Sequence, residues 1–192
     1  MPISRRLLSL CGSLLLATTL GGCASTSITQ YHAGESRSVC QDDGKVSPIL
    51  ILWGAAWRKD QHHRGEREAT AERGIRRYFA RGDCFRQAYI AGQAMGRSPL
   101  TLSDIEMIRW ARAQSTPFST LIQIRVEELD VENNRSVAQL RVRVLDMTSM
   151  RMQIDRTAHR SSSGLYMPDS VALDEAVDET LTAIFTQQFS RY

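Results

Sequence analysis

The chain has no run of eighteen or more apolar residues, so no segment is long enough to cross a bilayer as a helix. Proline is scarce, at five residues, and twelve glycines show no repeat, which excludes collagen-like and proline-rich filaments. Four cysteines in 192 residues are too few for a disulfide-dense miniature fold. Aromatics make up 7% and charged residues 23%, close to an ordinary globular domain and unlike a disordered chain. Nucleotide-binding loops of the GxxxxGK[ST] or strand-linked GxGxxG type are absent, as are HExxH and GxSxG. Nothing in the sequence therefore points to nucleotide chemistry, zinc proteolysis or a nucleophile elbow.

The N-terminus is informative. Arg5 and Arg6 precede a mostly apolar stretch, Leu7 to Leu20, which has the form of a secretory signal. Leu20-Gly21-Gly22-Cys23-Ala24 follows and has the form of a lipobox. Lipobox chemistry needs a cysteine thiolate to accept diacylglycerol and small residues before it for the peptidase. The expected division is a signal over 1–22, a lipidated flexible tether over 23–44 and a single α/β domain over 45–192. The tether is inferred from its Ser, Thr and Gly content and its lack of apolar period. Loss of Arg5 and Arg6 lowers the formal net charge from +3 to +1, so no strong field for nucleic acid is expected. Ala24 is not the aspartate that favours inner-membrane retention, so the expected location is the periplasmic face of the outer membrane. No cofactor is expected beyond the covalent diacylglycerol and N-acyl lipid on Cys23, whose several chains suffice for stable anchoring.

Cys11 leaves with the signal and Cys23 takes the lipid. Cys40 and Cys84 remain as a pair in an oxidising compartment, and a disulfide between them is expected. It would close a loop of roughly 45 residues and contribute about 4 kcal/mol in the chain-entropy account.

Beyond the tether, Val46 to Trp53 is apolar on both faces, as a buried central strand requires. Asp60 to Arg81 has a helical period, with Ala71, Ile75, Tyr78 and Phe79 on one side. A short strand is expected near Phe85 to Ala91. Ser103 and Glu106 form a capping box, with Leu102 and Met107 placed as its staple. The helix should run to about Gln114, with Ile105, Ile108 and Ala111 or Arg112 on its inner side. Three alternating strands follow, centred on Ile122–Glu127, Ala138–Val144 and Met150–Asp155, joined at Glu132-Asn133-Asn134 and Asp146–Ser149. A last helix should run from Asp169 or Ser170 to about Ser190, with Leu173, Val177, Leu181, Ile184 and Phe185 inward. The expected fold is α/β (α+β): a mixed sheet in the order β-α-β-α-β-β-β-α, with helices mainly on one face.

From Ser103 onward the pattern of capped helix, strand, long hairpin (SVAQLRVRVLDMTSMRMQID) and amphipathic C-terminal helix resembles a group of periplasmic lipoproteins. The group includes the curli-secretion lipoprotein, the lipoprotein activator of penicillin-binding proteins and the Pel polysaccharide-export lipoprotein, whose fold is similar to the N-terminal domain of the Tol translocation protein TolB. The resemblance implies a non-enzymatic envelope lipoprotein that binds an envelope protein partner or self-associates. The long membrane-inserted hairpins of the curli pore have no counterpart in this sequence.

Several clusters invite chemistry. His62, His63 and Glu66 have partial metal-ligand spacing, but no third ligand is evident, and no metal site is expected. His159 with Ser161, Ser162 and Ser163 reads as a polar loop, and supports only weakly a second possibility, a lipid-anchored envelope hydrolase. Trp53, Trp57 and Trp110 suit core or rim packing better than a sugar platform. Arg125, Arg141, Arg143 and Arg151 should share the wet face of the sheet with Glu127 and Asp155. They form either a ladder of cross-strand charge pairs or a contact face for a partner, since guanidinium groups pair carboxylates bidentately.

Overall fold

A computed structural model describes residues 24–33, 48–82, 87–163 and 169–186. Strands β1 (Ala24–Ala33), β2 (Ile49–Ala55), β3 (Ala88–Ala91), β4 (Thr120–Glu132), β5 (Arg135–Asp146) and β6 (Arg151–Ser163) form one mixed sheet in the order β1-β6-β5-β4-β2-β3. Helices α1 (Arg64–Arg81), α2 (Asp104–Arg112) and α3 (Asp169–Thr186) connect and cover it. β2 runs parallel to β3 and β4, whereas β4, β5, β6 and β1 form an antiparallel meander.

β2 is buried on both sides, as its unbroken apolar run requires. Its odd-numbered residues Ile49, Ile51 and Trp53 join the main core beneath α1 and α3, with Ile122, Ile124, Val142, Val144 and Ile154. Its even-numbered residues Leu50 and Leu52 face a smaller core under α2, with Leu102, Met107, Ile108, Leu121 and Leu145. The two long helices thus lie on one face and the short one on the other.

α1 and α3 run side by side in the same direction. A Cβ on Gly74 would lie 2.7 Å from both the Asp174 carbonyl oxygen and Val177 Cβ, so only glycine permits this approach. Around that contact Asp174 accepts from Arg73 and Arg77, and Asp178 pairs with Arg81. Tyr78, Phe79 and Phe185 close the far end as an aromatic cluster. Burial and the nearby Asp178 carboxylate push the Tyr78 phenol well above its ordinary range. The capping box of α2 forms as its sequence predicts: Glu106 N–H donates to Ser103 Oγ, and Ser103 N–H donates to Glu106 Oε2.

Four expectations need correction. Residues 24–33, taken from composition as part of a tether, form edge strand β1, paired antiparallel with β6 from Ala24 opposite Ser162 to Ala33 opposite Ile154. The pairing supplies what the sequence lacks: an apolar period is unnecessary on an edge strand whose outer face is wet, and Ile28 is half-buried against the main core. Ser161 to Ser163, read as loop, end β6, which extends well past Asp155. Ile105 is exposed, and Met107 takes its place inward beside Ile108 and Ala111, which are buried as expected. Met150 belongs to the β5–β6 turn with φ 58°, and a register shift between Val144 and Leu145 breaks the expected alternation.

Candidate interaction face

α2 covers only part of its side of the sheet. The remainder, on β4, β5, β6 and β1, is an open face of polar groups. Cross-strand neighbours Arg125 and Arg141 lie on β4 and β5, while Thr157 and His159 on β6 stand opposite Thr29 and Ser27 on β1. Arg141 is the hub. Its Nε and Nη2 donate to the two Asp155 carboxylate oxygens at 2.8 and 2.9 Å. Its guanidinium carbon sits 4.8 Å from the ring centroid of Tyr31, an exposed aromatic of β1 next to a register shift. The bond to Asp155 raises the pKa of Arg141 further, so the group stays charged.

The four arginines do not form one cluster, although Arg143 Nε also approaches Asp155, at 3.8 Å. Arg143 is spent on the fold: Nη1 and Nη2 each donate to an Asp104 oxygen at 2.7 Å, tying the first turn of α2 to β5, and Nη1 also reaches Gln123 Oε1 at 3.2 Å. Arg125 is half-exposed beside Glu127 at 3.3 Å. Arg151 is exposed at the other end of β6, paired in register with Asp146. The open face therefore centres on Arg125, Arg141 and Tyr31. Tyr31 lay in the segment read as a tether, and no signal in the sequence placed it beside Arg141.

Other clusters resolve into ordinary contacts. His63 precedes α1 with φ 53° and lies 3.8 Å from Glu66, both largely exposed, and no group of three metal-ligating side chains forms among the described residues. Ser162 Oγ is 2.7 Å from Ser136 Oγ. His159 and Ser161 line a shallow depression of about 460 Å³ with Glu128, Glu132 and Arg135. Trp53 is buried in the main core, and Trp57 packs half-buried at its rim, where Nε1 donates to Glu68 at 3.1 Å. Trp110 packs against the smaller core. Cys23, Cys40 and Cys84 lie outside the described residues.

No protein-family model matches the chain, and no curated protein matches it. Among solved structures it is similar to the PelC dodecamer from Paraburkholderia phytofirmans, at 11% identity and a TM-score of 0.47, over 84% of this chain and 97% of that one. It is also similar to protein XCC0632 from Xanthomonas campestris, at 14% identity and a TM-score of 0.41, over 77% and 90%. A third similarity is to lipoprotein GNA1162 from Neisseria meningitidis, at 9% identity and a TM-score of 0.39, over 73% and 96%.

Proposed function

We propose that this chain is a lipid-anchored lipoprotein on the periplasmic face of the outer membrane, which works by docking a protein partner or a further copy of itself on its open polar sheet face. The observation that carries the reading is the position of β1. Its first residue, Ala24, directly follows the lipobox cysteine and is already in register with Ser162. An acylated Cys23 would leave no slack between membrane and sheet. The end of the sheet formed by the start of β1, the end of β6 and the Asn133-Asn134 turn would face the lipid, with the open face standing clear of it. Cys40 and Cys84, in the same compartment, would be oxidised to one another.

The reading has a two-part test. Cys23→Ser should move the protein from the membrane to the soluble fraction, and normal retention would overturn the anchor. A photo-crosslinking side chain at Thr29 or Thr157 should trap one discrete envelope species in cells, while one at Arg76, on the exposed side of α1, should trap none. Equal trapping at both places would overturn the docking face.

A further inference from the structure

Across the open face the strand registers set four side chains in one row. Arg125 on β4 is paired with Arg141 on β5, Arg141 with Thr157 on β6, and Thr157 with Thr29 on β1. Three strand spacings separate the ends of the row, about 14 Å, which is the reach of roughly four extended residues.

The arginine pair is the anomaly in this row. Like charges directly opposite each other on neighbouring strands, with Cβ atoms about 5 Å apart, destabilise a sheet. Each arginine has a carboxylate of its own, on different sides: Arg141 holds Asp155 on β6, and Arg125 lies beside Glu127 on its own strand. Those carboxylates are recessed. The side chains of Glu127 and Asp155 are 24% and 13% exposed, against 47% and 35% for Arg125 and Arg141. Glu127 also accepts from Gln139 at 2.6 Å, and Glu128 is held by Arg58 at 2.8 Å. At this register position the face therefore turns positive charge outward. Exposed Tyr31 lies against the Arg141 guanidinium and walls the side toward β1.

Resting on the docking-face reading, we infer that Arg125 and Arg141 together bind a single carboxylate presented by an extended peptide segment of a protein partner, with Thr157 and Thr29 offering hydroxyls to that segment's backbone. A guanidinium has five N–H donors, and Arg141 spends two on Asp155. A carboxylate arriving above the pair meets two cations at once and relieves their mutual repulsion. A regular polyanion fits less well. Glu127, Glu128 and Asp155 flank the pair, so charges on successive units of an acidic glycan would meet carboxylates on either side. An isolated glutamate or aspartate between neutral residues avoids them.

The test uses the full chain with isotope-labelled arginine in an uncharged maltoside detergent. NMR follows the Nε–H signals of Arg125, Arg141 and Arg76, assigned by substitution. The titrants are N-acetyl-Gly-Thr-Glu-Thr-Gly-amide, its Gln and Lys counterparts, and trigalacturonate. The glutamate peptide should shift the Arg125 and Arg141 signals saturably in the millimolar range and leave Arg76, on α1, unmoved. The Gln and Lys peptides should shift none of them. Arg125→Gln, at a half-exposed pair, should keep the melting temperature and weaken binding read at Arg141 about ten-fold. Equal shifts with the Gln or Lys peptide, a matching shift at Arg76, or equal binding by wild type and Arg125→Gln would each overturn the proposal. Tighter binding of trigalacturonate would overturn it in favour of an acidic glycan, and shifts of the same two signals on raising protein concentration alone would overturn it in favour of a second copy. Crosslinking from Thr29 or Thr157 separates this failure from failure of the docking face. A captured envelope protein with no peptide response leaves the face standing and the carboxylate wrong, whereas no capture removes the face itself.

Discussion

Asp155 and Asp104 show how two arginines of one strand come to do different work. Arg141 and Asp155 form a bidentate pair in which the Asp155 side chain is 13% exposed and that of Arg141 35%. Removing the arginine leaves a largely buried carboxylate facing only the more distant charge of Arg143, whose Nε is 3.8 Å away, so Arg141→Ala should cost about 1–3 kcal/mol in urea unfolding, discounted toward the low end for solvent screening. Arg125→Ala, at a half-exposed pair, should stay within about 0.5 kcal/mol of wild type. Equal losses would contradict this division. Glu106 carries a pH signature. The Ser103 N–H, then Arg97, then the Ser103 hydroxyl hold its carboxyl at about 2, below its ordinary 4.5. A lowered folded-state pKa gives stability that is present above 4.5 and lost as pH falls toward about 2. Glu106→Gln should flatten the stability profile in that window, lower stability near neutrality and approach the wild type at the acid end. A wild-type profile already flat there would refute the capping contribution.

At the scale of elements, two contacts fix the layers. Gly74 lets α1 and α3 meet, and Gly74→Ala puts a methyl 2.7 Å from helix backbone. Overpacking of this kind should destabilise by about 1–3 kcal/mol in chemical denaturation, against the usual gain from replacing a helical glycine. A stabilised variant would show that the helices sit farther apart. On the other face, Arg143 joins β5 to α2 through Asp104. Arg143→Ala and Asp104→Ala should each cost stability, and the double variant should cost less than their sum. Strict additivity would mean that the two do not interact.

The same elements show what the sequence made legible. Features with an intrinsic period or a local signature were readable: the two-faced apolar run of β2, the inward stripe of α3, the capping box at Ser103, and the Asn133-Asn134 turn with φ 51° and 60°. β1 was not, because an edge strand takes its order from its neighbour's backbone and needs little apolar period of its own; half-buried Ile28 is a faint trace. The arginine face was half readable. Alternation placed Arg125, Arg141 and Arg143 on one side of the sheet, but which of them α2 would cover depends on a crossover that no local pattern encodes.

For the molecule as a whole, the account joins an anchor, a sheet and a face. In the proposed arrangement the lipobox would set where the chain is attached, the β1–β6 register would carry that attachment directly into the folded domain, and partial cover by α2 leaves the rest of its own side of the sheet open. Hydrogen–deuterium exchange read by mass spectrometry on protein purified from membranes tests this link most directly, because one peptide reports both ends of it. The N-terminal peptide should begin at Cys23, carry the added mass of acyl chains, and show slowed exchange through residues 24–33. An unmodified peptide beginning before Cys23, or one whose 24–33 amides exchange as fast as a free chain, would contradict the account.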